Sequence, residues 1–133
     1  MKIDVAMRSD RGVVREHNED AVGGDRDAGL LVLADGMGGA NAGEVASELA
    51  VNLLVGQLAS RGEAAEDGPQ GSEAIIEALR GVNQAILELS QQVPEYQGMG
   101  TTVVVGQFLD QTLTYAHVAV SYTHLRAHET ATY

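Results

Sequence analysis

The spacing of apolar residues changes several times along this chain, and each change predicts a different element. Residues 3–7 alternate apolar side chains with polar or small ones, which predicts a half-buried strand. The uninterrupted apolar run 30–34 predicts a strand that is buried on both faces. Between these strands, residues 9–12 and 23–27 are rich in glycine and aspartate, and both segments are therefore predicted to be turns.

From residue 42 onward the apolar residues recur at the spacing of an amphipathic helix. Asn41 is placed to cap this helix and Glu44 to favour its first turn. The apolar positions of this helix are Val45, Leu49, Leu53, Leu54 and Leu58. A polar loop over residues 61–71 then leads to a second helix, which Ser72 is placed to cap. The apolar stripe of the second helix consists of Ile75, Leu79, Val82, Ile86 and Leu89.

Strands return in the last third of the chain. Residues 101–105 and 112–118 are rich in β-branched residues, and a turn at 109–111 predicts that they pair as an antiparallel hairpin. The order of elements is strands, two helices, strands. This order predicts an α+β fold in which helices pack on one face of an antiparallel sheet.

Two acidic clusters suggest a metal site. Asp35 directly follows the apolar run and precedes Gly36, where we expect the chain to bend. Glu19 and Asp20 form a second cluster, and Asp20 lies fifteen positions upstream of Asp35. Since divalent cations such as Mg²⁺ and Mn²⁺ prefer fixed oxygen ligands, neighbouring strands could bring these carboxylates to one pair of ions. The planar guanidinium of Arg15 could then hold a phosphate.

Simpler interpretations of the same residues stay open at this point. Asp20 could cap a turn, and Arg15 could form a surface ion pair. The glycines of residues 36–39 could form a plain turn or, less well, a phosphate-binding nucleotide loop, because an aspartate stands in front of them. His124 and His128 are four residues apart, but no third ligand and no adjacent glutamate support a zinc site.

Composition narrows the range of partners. The 133 residues suffice for one domain, and without cysteine neither disulfides nor thiolate chemistry is available. The net charge of -11, with Lys2 as the single lysine, argues against a nucleic-acid partner. No apolar stretch has the length of a signal peptide or a membrane helix, so we expect no membrane association and a cytoplasmic location.

Four segments, in order, resemble the motifs of bacterial metal-dependent protein serine/threonine phosphatases of the PPM type, also called type 2C. They are residues 11–20, 34–39, 98–102 and 115–118, and the resemblance covers roughly residues 1–118. It implies a layered sandwich, in which two antiparallel β-sheets pack together and helices flank them on the outside. It also implies that metal-activated water hydrolyses the phosphate esters of phosphoserine and phosphothreonine in protein substrates.

The resemblance assigns roles to particular residues. Asp20 and Asp35 would be catalytic, and two Mn²⁺ or Mg²⁺ ions would be held by Glu19, Asp20, Asp35 and Gly36, the last through its carbonyl. Arg15 would bind the substrate phosphate.

The same resemblance implies that Thr101 and Thr102 support the site. Met37 is a poor ligand for a hard cation, and we expect it to pack or to line the rim of the pocket.

The resemblance ends within the fourth motif. The family pattern continues Gly-Asp-Ser-Arg after Val118, whereas Val120 stands here in the position of that aspartate. We therefore expect residues 1–119 to be the N-terminal part of a PPM-type domain and residues 120–133 to be an unrelated, artefactual tail. The fold is then truncated and the chain has little activity. The alternative is a non-catalytic phosphatase fragment or pseudophosphatase that acts only by binding.

Overall fold

A computed structural model describes residues 2–13, 17–39, 41–60 and 71–120. These residues form one antiparallel sheet with the strand order β1-β2-β3-β4, two α-helices and a short 3₁₀ turn. In chain order the elements are β1 (Asp20–Asp25), β2 (Leu30–Met37), α1 (Ala42–Ala59), α2 (Ser72–Gln92), the 3₁₀ turn (Pro94–Tyr96), β3 (Gly100–Leu109) and β4 (Thr112–Val120).

Both helices lie on the same side of the sheet. Helix α1 packs against β1, β2 and β3, while α2 packs against α1 and β4. The aliphatic core lies between these layers and includes Leu54, Leu58, Ile75, Leu79 and Val105, each almost completely buried. The predicted α+β class, with helices on one face of an antiparallel sheet, is confirmed. The described residues contribute a single sheet, and the face turned away from the helices is partly open.

Strand β2 differs from its prediction in burial and length. Its even-numbered residues from 30 to 34 are buried under the helices, but Leu33 is 50% exposed. The prediction of burial on both faces is wrong for the described residues because helices cover only one of the two faces. The strand also continues past Asp35 to Met37, so the expected bend at Gly36 is absent and the chain leaves the strand at Gly38, where φ is 147°.

The strand predicted at residues 3–7 has no ladder partner in the described part of the chain. Ile3 and Val5 are half-buried, as their alternation suggested. However, the carbonyl of Ile3 accepts a hydrogen bond from Arg26 Nε at 3.0 Å, and Asp4 pairs with the same guanidinium at 3.3 Å. The segment is therefore tied down by a side chain and not by strand pairing.

The two predicted turns differ in outcome. In the first, the Gly12 N–H donates to the Asp10 carboxylate at 2.8 Å, which confirms a turn. The second was placed too early, because Gly23 and Gly24 belong to β1 and the turn occupies residues 26–29. Gly23 lies in the strand because of close packing with α1, where a Cβ on Gly23 would lie 2.5 Å from Cγ1 of Val51. This glycine allows a helix to approach the strand and does not break it.

The two helices were predicted in the right places, but their caps were not. Asn41 precedes α1 in a left-handed conformation, with φ 70°, and makes no side-chain capping hydrogen bond. Ser72 is the first residue of α2, and Gly71 occupies the cap position. The sequence shows which residue types can cap, but the backbone angles at the junction decide whether they do.

The buried face of α1 also differs from the predicted stripe. Leu54 and Leu58 are buried, but Val45, Leu49 and Leu53 are only partly so. Apart from Val51, the rest of the buried face consists of small residues, namely Ala42, Gly43, Ala46, Ser47 and Ala50. Helix α1 therefore lies close to the sheet.

The stripe of α2 is confirmed except at Leu89, which is partly buried. The hairpin of β3 and β4 is confirmed as antiparallel, and its two-residue turn contains Asp110 at φ 54°. Val120, the first residue of the predicted tail, is the last residue of β4 and pairs with Thr101. Residues 61–70 of the predicted loop 61–71 and the tail beyond Val120 lie outside the described residues. Neither described helix is long and apolar enough to span a membrane.

Candidate metal centre

Asp20 and Asp35 are direct cross-strand partners. Asp20 is the first residue of β1, and the register of the antiparallel pair places it opposite Asp35 near the end of β2. Residues that face each other in this way project from the same side of a sheet, with Cβ atoms about 5 Å apart. Both aspartates are exposed, on the side of the sheet away from the helices. The structure thus brings together the two carboxylates that the sequence analysis placed at one site.

This juxtaposition favours a cation physically. Two like charges directly opposite each other on a sheet are destabilising, and a divalent ion between them would reverse the sign of the interaction. The donors are hard oxygen atoms, and Mg²⁺ sites commonly use one or two carboxylates together with water. Within the described ranges there is no cluster of three or more His, Cys, Asp or Glu residues that could hold a metal ion. The aspartate pair therefore fits such an ion as a partial ligand set.

The side chain of Glu19 lies on the opposite face of the sheet from this pair. The N–H of Gly36 donates to the carbonyl of Glu19 at 2.9 Å, so the two residues face each other next to the Asp20–Asp35 pair. Because side chains alternate along a strand, the Glu19 side chain points to the helix side of the sheet. Its carboxyl carbon lies 2.9 Å from where a Cβ on Gly43 would be. The role of Glu19 as a metal ligand stays a prediction.

The backbone at Gly36 is fixed by a contact that only glycine permits. Gly36 is buried, and a Cβ there would collide with the carbonyl of Gly43 in the first turn of α1. A Cβ on Gly43 would in turn approach the Met37 nitrogen at 2.9 Å. The sequence analysis missed Gly43. The one available signal was a glycine inside the first turn of a helix, where glycine disfavours helix formation and therefore needs another reason to be present.

The third strand adds a hydroxyl to the aspartate pair. Thr102 faces Asp35 across β2 and β3, and its Oγ1 donates to the Asp35 carbonyl at 3.4 Å. Thr101 is fully buried on the helix side and its hydroxyl donates to the backbone of Thr102 at 2.8 Å. Met37 is 52% exposed and projects from the same face as Asp35, as expected for a residue at the rim. Arg15, the predicted phosphate ligand, lies outside the described residues.

Comparison with known proteins identifies the family to which this chain belongs. The profile of the family described as protein phosphatase 2C matches residues 12–129. This chain therefore belongs to the protein phosphatase 2C family.

Individual relatives cover most of this chain. The serine/threonine protein phosphatase PstP of Mycobacterium tuberculosis is 40% identical over 122 residues, which is 90% of this chain and 22% of PstP. The serine/threonine phosphatase stp of Listeria monocytogenes is 34% identical over 132 residues, or 90% of this chain and 48% of the relative. A crystal structure of the PstP catalytic domain with two manganese ions has a TM-score of 0.70 at 40% identity, covering 84% of this chain and 45% of that one. The chain thus spans less than half the length of these relatives.

Proposed function

We propose that this chain carries the N-terminal part of the catalytic site of a metal-dependent protein serine/threonine phosphatase. The observation that carries the proposal is the cross-strand pairing of Asp20 with Asp35 at one end of the sheet. Both residues fall within the segment that matches the family. The substrates are phosphoserine and phosphothreonine proteins, in keeping with the names of the relatives PstP and stp.

The roles of individual side chains follow from their chemistry. Asp20 and Asp35 hold divalent cations through their carboxylates, and the Gly36 carbonyl contributes a further oxygen ligand. When bound, the ions would make a water molecule acidic enough to lose a proton near neutral pH, and the resulting hydroxide could attack a phosphomonoester. Arg15 binds the phosphate through paired N–H donors, which match the geometry of two phosphate oxygens. Thr102 steadies the backbone of Asp35 through the hydroxyl contact described above.

We propose Mn²⁺ or Mg²⁺ as the physiological ion. Both accept carboxylate and carbonyl oxygens, and the PstP structure was obtained with manganese. We further propose that the protein acts in the cytoplasm, in signalling, where it would oppose serine/threonine kinases.

By itself, the 133-residue chain is proposed to turn over phosphopeptides slowly or not at all. Its described residues bring two carboxylates together, and a cation pair held by so few charged ligands binds weakly. The test is an assay of the purified chain with a phosphothreonine peptide and Mn²⁺, alongside the Asp35→Asn variant. Slow phosphate release that disappears in Asp35→Asn supports a phosphatase site with an incomplete ligand set. Release that is equal in both proteins contradicts the role of Asp35.

The second candidate is a non-catalytic phosphatase fragment or pseudophosphatase that acts only by binding a partner. The small ligand set in the described residues is the observation that favours it. Calorimetric titration with MnCl₂ separates the two candidates. A saturable heat that is lost in Asp20→Asn indicates a working metal centre, and the absence of any such heat in the unmodified chain favours the non-catalytic protein.

A further inference from the structure

We propose that Glu19 is a positioning residue: its side chain lies against Gly43 in the first turn of α1 and thereby keeps Asp20 in register with Asp35. This inference rests on the proposed function for its consequence at the metal centre. Its structural part, the contact between the start of β1 and the start of α1, stands on the packing of three neighbouring residues.

The first step of the argument is the direction of the side chain. Glu19 and Asp20 are adjacent, so their side chains leave the backbone on opposite sides. Asp20 shares the exposed face with Asp35, whereas Glu19 is half-buried on the helix side. The two acidic residues of this motif therefore have different surroundings, although the sequence places them side by side.

The second step is the tightness of the contact. Both the carboxyl carbon and Oε2 of Glu19 lie close to Gly43, at 2.9 and 3.0 Å from the position of a Cβ on that residue. Real Cβ atoms essentially never have neighbours at the shorter of these distances. Gly43 therefore provides the space in which the Glu19 carboxyl group lies, and a larger residue there would crowd this group and the Met37 backbone nitrogen.

The third step connects this contact to the aspartates. The Glu19 carbonyl accepts the Gly36 N–H at 2.9 Å, so Glu19 joins β1 to β2 at the residue next to each aspartate. Glu19 thus links β1, β2 and α1 at one point. Loss of this link would let the end of β1 fray and would separate Asp20 from Asp35.

The experiment compares two substitutions of Glu19. Glu19→Ala removes the contact with Gly43, and we expect it to raise the Mn²⁺ dissociation constant about tenfold, as loss of supporting residues around metal ligands does. Glu19→Gln keeps the length and shape of the side chain, and we expect its dissociation constant to stay within about threefold of the unmodified value. If Glu19→Gln weakens Mn²⁺ binding as much as Glu19→Ala, Glu19 is a ligand and the proposal is overturned.

A matched pair of glycine substitutions in α1 tests the other side of the contact. Gly43→Ala crowds both the Glu19 carboxyl group and the Met37 backbone nitrogen and should weaken Mn²⁺ binding about tenfold, whereas in the Glu19→Ala background only the smaller effect through Met37 should remain. Gly56→Ala lies in the same helix with no atom within 4 Å of the new Cβ, and it should leave Mn²⁺ binding unchanged. Equal Mn²⁺ binding in the two variants would overturn the proposal. If Gly43→Ala does not fold, the Glu19 pair decides the question.

Hydrogen exchange separates this inference from the proposed function. If the unmodified chain binds no Mn²⁺, the metal centre fails, but the exchange rate of the Gly36 amide still reports on the link to Glu19. We expect Glu19→Ala to accelerate this exchange about tenfold and Glu19→Gln to leave it nearly unchanged. Unaltered exchange in Glu19→Ala would show that the contact with Gly43 does not stabilise the pairing of β1 with β2, and would overturn the proposal.

Discussion

Substituting Asp35 by asparagine should stabilise the metal-free protein while removing its response to metal. The structure places Asp35 directly opposite Asp20, with both side chains exposed on one face. Two unit charges about 5 Å apart repel each other by about 0.8 kcal/mol in water, and by more where the protein lowers the dielectric constant. Because both groups are exposed, we take about 1 kcal/mol, which corresponds to a rise in melting temperature of ~4 °C for a chain of this size.

The response to metal has the opposite sign. A ligand at one hundred times its dissociation constant stabilises a folded protein by about 2.7 kcal/mol, which would raise the melting temperature of the unmodified chain by ~10 °C. With only one charged carboxylate left in the pair, Asp35→Asn should show little of this rise. The assay is thermal unfolding followed by circular dichroism, at low ionic strength, in EDTA and then in MnCl₂. Asp27→Asn, in the exposed turn between β1 and β2, is the matched control and should change neither value.

Salt provides a further check on the cause. At about 1 M salt the screening length falls to about 3 Å, so the gain of Asp35→Asn in EDTA should largely vanish. The reasoning is refuted if Asp35→Asn lowers the melting temperature in EDTA. It is also refuted if the variant keeps the full rise with Mn²⁺, since Asp20 and Asp35 would then not share one cation.

Three further predictions concern packing. Gly23→Ala should destabilise the protein by about 1–3 kcal/mol in urea unfolding, because its Cβ would lie 2.5 Å from the Val51 side chain. Adding Val51→Ala to this variant should restore part of the lost stability, and additive effects of the two substitutions would contradict the contact. Gly81→Ala, in the middle of α2 with no atom closer than 3.5 Å to the new Cβ, should stabilise by about 1 kcal/mol in the same assay, and a loss of stability would refute this. Leu33→Lys should reduce binding of a hydrophobic dye at nearly constant stability, because Leu33 and Val104 are half exposed on the open face; unchanged dye binding would place the exposed apolar surface elsewhere.

The sequence by itself determined the class of fold and the family. Changes of apolar period separated strands from helices, and the core positions of α2 followed from that spacing, since burial on one face requires a repeat near 3.6. Four motifs in order identified the family, and the chemistry of the Asp20 and Asp35 carboxylates predicted that they share one site.

Only the tertiary structure decided how the site is built. It placed Asp20 opposite Asp35, and it placed Glu19 on the other side of the sheet, because register and side-chain alternation depend on which strands pair. It also showed that Gly23, Gly36 and Gly43 serve close packing. From the sequence alone, a glycine suggests a turn. At these three positions, however, residues distant in the chain fill the space left by the missing side chain, and only the tertiary structure shows which residues they are.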